Sequence, residues 1–222
     1  MMCAFRNLVF FIRFRLIPTL RASALLACAL TSPVSHAYVV TITAAAKSIY
    51  LQVGAGTITG GTFSSGGMPG NNAAINRVSV TVPAASLGAG SVAMTTDSTV
   101  TASPYDGFSY CVVPAQVYIG GFFRTPGASA NATLTVTSPV ALVNAGGDTI
   151  PFNTVSWISG GNSEAVGTTI ASGTFVGGSA QTLLSVTRNT WFESCLKFNY
   201  SNLLFVPAGT FTGRVSYTLT AP

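Results

Sequence analysis

Apolar side chains in this sequence recur at every second position, and that period limits the chain to sheets. Val78, Val80 and Val82 alternate with polar residues, as do Leu134 and Val136, and Val215, Tyr217 and Leu219. Such alternation buries one face of a strand and wets the other, whereas a helix needs a period near 3.6. The wet positions carry Thr and Ser more than Lys or Glu, and β-branched Thr suits a pleated surface. Charged residues make up 7% of the 222-residue chain, against roughly 25% in an ordinary soluble domain. By the same reading, 38–43, 48–53, 77–82, 116–123, 132–137, 155–158, 181–187 and 214–219 are predicted strands. Turn residues separate them: Gly66 to Asn72, Pro104 to Gly107, Asn144 to Asp148 and Gly160 to Asn162. No capped run of strong helix formers interrupts the pattern. Many short strands with Gly, Pro, Asn and Asp turns predict an all-β chain, a single antiparallel β-sandwich of immunoglobulin-like kind. A Gly-Thr-apolar-x-Gly pattern begins at Gly56, Gly173 and Gly209 and reads as a strand-corner device, with glycine allowing the bend.

The first 37 residues have a different character. Arg6, Arg13, Arg15 and Arg21 precede the apolar stretch Ala22 to Leu30, and small residues follow at Ser35 and Ala37. This is the basic, apolar, small-residue order of a secretory signal peptide. Cleavage is expected after Ala37, leaving a 38–222 domain of 185 residues. The product is then secreted, periplasmic or held at the cell surface. A rival reading takes Leu25 to Cys28 as a lipoprotein box with Cys28 lipidated. No stretch after residue 38 approaches the ~20 apolar residues of a transmembrane helix. The 38–222 portion keeps six cations against five acids, so most of the +5 formal charge belongs to the N-terminal segment. Six scattered cations do not make the clustered surface that displaces counterions from nucleic acid.

Two cysteines remain in 38–222, Cys111 and Cys195. In an oxidising compartment they are expected to form one disulfide. The sole histidine, His36, lies in the export segment. The remainder therefore lacks the ring used by Ser-His-Asp and Cys-His catalysis and by His-ligated metals. No metal, cofactor or enzymatic activity is expected. The surviving acid pair is Asp106 with Glu193, near the two cysteines in sequence together with Arg188 and Trp191. Its plainer reading is a turn Asp and a Glu paired to an Arg. Asn144 and Asp148, with the carbonyls of Gly146 and Gly147, offer oxygens of the kind calcium takes, without a recognised spacing. Trp157 and Trp191 are the candidate sugar platform if exposed, and core residues otherwise.

The segment from Val206 to Leu219, with a Pro-Ala-Gly-Thr turn at Pro207 to Thr210 and then an alternating strand, resembles the last hairpin of bacterial pilin-like secreted sandwiches and spore coat protein U-like domains. The resemblance covers about 14 residues. It implies an exported, non-enzymatic structural or surface protein, a fimbrial or fibre subunit or an adhesion-related domain. Its partners would be other copies of itself or other surface subunits. In chaperone–usher pilins a neighbour's N-terminal extension completes the fold. Here the resemblance implies that Val40, Ile42 and Ala44 are the alternating residues of such a donor strand. The plainer reading makes the same segment the first strand of a closed domain. Two other functions fit the composition: a secreted carbohydrate-binding module and a small outer-membrane β-barrel.

Overall fold

The computed structural model describes residues 39–71, 74–162 and 169–222. The expected signal peptide, with Cys28 and the cleavage point after Ala37, lies outside the described residues.

In chain order the strands are β1 (Val39–Thr41), β2 (Ser48–Val53), β3 (Ile58–Thr59), β4 (Met68–Pro69), β5 (Val78–Ser79), β6 (Gly90–Ala93), β7 (Thr95–Thr96) and β8 (Val117–Arg124). They continue with β9 (Ala132–Thr137), β10 (Ala141–Val143), β11 (Thr149–Pro151), β12 (Val155–Ser159), β13 (Gly173–Thr174), β14 (Ala180–Val186), β15 (Thr190–Asn202) and β16 (Ser216–Thr220). Three short 3-10 turns are the only helical elements among the described residues. The molecule is all-β, as the alternation predicts.

The larger sheet runs β13-β12-β15-β8-β2, and β15 also receives β1 and β6. At 13 residues, β15 is long enough to hold two partners end to end on each side. One side takes β8 along Thr190 to Cys195 and β6 along Asn199 to Asn202. The other takes β1 along Thr190 to Phe192 and β12 along Leu196 to Tyr200. The smaller sheet is β14-β9-β16, and every pairing between these strands is antiparallel. Among the described residues neither sheet closes into a barrel, which removes the outer-membrane barrel reading.

The two sheets pack face to face. Val117, Ile119 and Phe123 of β8, Trp157 of β12, and Phe192, Leu196 and Phe198 of β15 meet Ala132, Leu134 and Val136 of β9 and Leu219 of β16 in one cluster. The alternation of β9 is the simple case, with Ala132, Leu134 and Val136 buried and Thr137 exposed. The far face of the smaller sheet is wet and carries Thr135 and Thr218. The far face of the larger sheet is covered instead, so β8 is buried at seven of its eight positions.

Asn189 sets the entry into β15. Its φ of 54° places it in the left-handed region, which Asn tolerates better than most residues. Its N–H donates to the Phe123 carbonyl, its carbonyl accepts from Ile42 N–H, and its side-chain Oδ1 accepts from Thr125 N–H. One turn residue thus aligns β1, β8 and β15.

Candidate functional site

The covered face of the larger sheet holds the one buried acid among the described residues, Glu193, at 5% exposure. Alternation along β15 sends Trp191, Glu193 and Cys195 to this face and Phe192 and Leu196 to the inter-sheet core. Opposite Glu193 in the ladder lies Gly120. A Cβ at Gly120 would sit 2.1 Å from the Tyr118 hydroxyl. The missing side chain is what lets the Tyr118 phenol reach Glu193. Three donors converge on a single carboxylate oxygen, Oε2: Ser103 Oγ at 2.8 Å, Tyr118 Oη at 2.8 Å and Trp191 Nε1 at 3.1 Å. Tyr110 Oη donates to the Glu193 backbone carbonyl at 3.0 Å. The disulfide between Cys111 and Cys195, with Cα atoms 5.5 Å apart, pins the same loop to the same strand two residues on.

None of those three donors is a cation. Burial pushes the Glu193 carboxyl above its ordinary range, and the nearby Asp106 charge adds to the rise. The hydrogen bonds from Tyr118, Ser103 and Trp191 pull the other way. The Tyr118 phenol is driven well up by burial and then by Glu193. This cluster can hold or release a proton, and it locks the 98–111 loop onto β15. Asp106 is exposed on the covering loop and accepts from Phe108 N–H at 2.9 Å. The sequence reading paired Glu193 with an Arg. The structure corrects this: Arg188 donates to the Gly127 carbonyl, and neutral donors satisfy the acid.

Both tryptophans are core residues, which corrects the sugar-platform reading. Trp157 is 3% exposed in the inter-sheet core, and its indole N–H donates to the Ala171 carbonyl. Trp191 is 1% exposed on the other face of the same sheet, packed with Ile42, Phe63 and Phe122. The two rings belong to separate clusters and form no common surface. Asn144 and Asp148 spend their groups on each other: the Asn144 amide donates to Asp148 Oδ2 at 2.9 Å, and Asp148 N–H donates to Asn144 Oδ1 at 2.8 Å. That geometry closes the β10–β11 hairpin, and no group of three or more metal-ligating side chains occurs among the described residues.

The candidate donor segment is paired within its own chain. Val39, Val40 and Thr41 lie against Phe192, Trp191 and Thr190. Ile42 is buried, Val40 half-buried and Ala44 exposed. In this structure the segment is the first strand of its own sheet, so Val40, Ile42 and Ala44 are not a free extension.

A different feature remains open. Between the two sheets, where β2 approaches β16, runs a groove of about 1500 Å³. Leu51, Val53, Phe198, Val215 and Tyr217 line it, with the 74–82 and 206–215 segments at its sides. Among the described residues β2 pairs only with β8 and β16 only with β9, so each presents an unpaired strand edge here. The predicted strand at 77–82 is reduced to Val78–Ser79, paired with β7, and the rest of it lines the groove. Sequence reasoning missed the groove, Ser103, Tyr118 and Gly120. The only available signal was the Gly-Gly pair at 120–121 inside an apolar strand, the mark of a close approach.

No protein-family model, curated protein or solved structure matches this chain.

Proposed function

We propose that the chain is an exported, non-enzymatic structural or surface subunit that assembles with other copies of itself through the groove between β2 and β16. The observation that carries the reading is that groove: a cleft lined by apolar side chains together with Arg77 and Arg214, and flanked by two strand edges. Unpaired edges template the pairing of another chain unless charge or Pro blocks them. β2 reads Ser-Ile-Tyr-Leu-Gln-Val and β16 reads Ser-Tyr-Thr-Leu-Thr, with no charge in either. An inserted strand would gain ladder hydrogen bonds on its backbone and apolar contacts for alternate side chains, the usual mode of strand addition. The loop after β15 supports the same reading, because Leu203 is 63% exposed and Phe205 81% exposed next to the Val206 that lines the groove. The pilin-like resemblance of residues 206–219 agrees, since residues 206–217 of that segment form one wall of the cleft.

Sedimentation of the oxidised chain starting at Tyr38, over a concentration series, tests the proposal. The expected result is concentration-dependent polymer, with slowed hydrogen exchange at β2 and β16 in the polymer. Substituting the exposed Phe205 by Ser should leave the fold intact and weaken assembly. A strictly monomeric chain, or polymer in which the β2 and β16 amides exchange as they do in the monomer, would overturn it. Export is tested separately by expressing the full chain and sequencing the N-terminus of any product found outside the cytoplasm; Tyr38 is the expected first residue.

A further inference from the structure

A second cavity, of about 290 Å³, lies on the covered side of the larger sheet, away from the groove. Its walls come from Thr41 at the end of β1 and Thr43 just after it, Phe63 and Ser64 of a 3-10 turn, Tyr105 of the loop that covers Glu193, and Arg124 at the end of β8. No acidic residue lines it. Two aromatic rings, four hydroxyl groups (the Tyr105 phenol among them) and one guanidinium therefore line a space near the lower limit of small-molecule sites.

The guanidinium is the informative group. Arg124 is half-buried, and its guanidinium carbon stands 5.4 Å from the centre of the Phe122 ring. Stacking of this kind holds the planar group by its face and leaves its N–H donors in the plane. Arg124 Nε is buried with no hydrogen-bond partner. Its partner across the ladder, Ser48, has a buried Oγ that also lacks one. Buried polar atoms in native proteins are nearly always satisfied, and an unpaired donor on a charged group is the costlier kind. Arg124, which lines a cavity with no acid in it, is thus a donor short of an acceptor; Ser48 shares its register position but is not part of the cavity wall. A carboxylate matches the edge of a guanidinium with two parallel hydrogen bonds.

We infer that this cavity binds an acidic sugar: Arg124 takes the carboxylate, Phe63 and Tyr105 offer apolar surface to the ring, and Thr41, Thr43 and Ser64 meet its hydroxyls. The inference does not rest on assembly through the groove. It moves sugar recognition away from Trp157 and Trp191, which are buried, to a site the sequence did not mark.

The test titrates the oxidised chain from Tyr38 with galacturonic acid, galactose and acetate, followed by calorimetry. The expected order places galacturonic acid at least tenfold tighter than either galactose, which lacks the carboxylate, or acetate, which lacks the ring. Arg124→Gln should remove at least tenfold of the galacturonic acid affinity. Arg124→Lys, which keeps the charge without the planar fork, should fall between. Ser64→Ala, at an exposed position where the hydroxyl otherwise meets Thr62 Oγ1, should weaken binding severalfold. Absence of galacturonic acid binding, equal affinity for the acid and galactose, or an unchanged affinity in folded Arg124→Gln overturns the site. Acetate binding as tightly as the sugar acid overturns the sugar class.

Discussion

Replacing Glu193 by Ala withdraws the one oxygen on which Ser103, Tyr118 and Trp191 converge. Each buried donor left without an acceptor is worth about 1–3 kcal/mol. The two hydroxyl groups can rotate toward other acceptors, whereas the indole N–H cannot. A loss of about 3–5 kcal/mol is therefore expected, a large share of the 5–15 kcal/mol that holds a typical domain together. With a urea slope of about 2 kcal/mol/M, the unfolding midpoint should fall by roughly 1.5–2.5 M. Glu193→Gln is the informative companion. Its amide oxygen can occupy the Oε2 position and accept the same three donors without a buried charge, so at low pH it should lie within about 1.5 kcal/mol of the parent. The pH dependence then has a definite sign. Because burial raises the carboxyl in the folded state, the native protein keeps its proton where the unfolded chain has released it. Stability from this group is greatest below the unfolded value of 4.5 and declines as pH rises through the folded value. The parent should thus lose stability relative to Glu193→Gln as pH is raised above about 4.5, and the difference should level off once both states are ionised. Urea titrations of the oxidised chain between acid and neutral pH measure it. A Glu193→Ala loss below about 1 kcal/mol, or a parent whose stability relative to Glu193→Gln stays flat or rises with pH, would refute the reasoning.

The Cys111–Cys195 disulfide spans 84 residues, and loop-closure arithmetic assigns it up to about 4–5 kcal/mol; urea unfolding of the Cys111→Ala, Cys195→Ala double variant measures the loss. Gly120→Ala would place a methyl 2.1 Å from the Tyr118 hydroxyl and 2.9 Å from the Phe192 carbonyl, with an expected loss of about 1–3 kcal/mol. Because part of that clash is with the hydroxyl, the loss should shrink in a Tyr118→Phe background, which a double-mutant cycle reads directly. Asn189→Ala, forced to keep a φ of 54° and deprived of the bond to Thr125, should lose about 1–3 kcal/mol; Asn189→Gly, relieved of the backbone strain, should lose less. Trp157 and Trp191 are 3% and 1% exposed, so acrylamide should quench native fluorescence weakly and quench strongly only past the urea transition.

Alternation made legible the strands of the smaller sheet, which have one wet face, and also β2 and β8, whose far faces are covered. Ser48–Val53 and Ala132–Thr137 match their predicted bounds, and 181–187 and 214–219 are displaced by only one or two residues. The longest strand, β15, was not legible. It is covered on both faces over Trp191 to Leu196, so Trp, Phe, Glu, Ser, Cys and Leu follow one another with no period to read. The 77–82 run failed in the opposite way: Val78, Val80 and Val82 alternate as a strand should, yet only Val78 and Ser79 find a ladder partner. Alternation records which face is apolar; it does not supply a neighbour.

By itself the sequence determined that the chain builds sheets, and that residues 38–222 offer Cys111 one cysteine partner and carry no imidazole. Those properties are local or are counts, and they survive without knowledge of what lies beside what. Only the tertiary structure decided that Glu193 meets Ser103 across 90 residues and Tyr118 across 75, that the two tryptophans lie on opposite faces of one sheet, and that β2 and β16 leave a groove between them. Each of those depends on strands distant in sequence being laid side by side, and a period of two is the same whichever neighbour a strand is given.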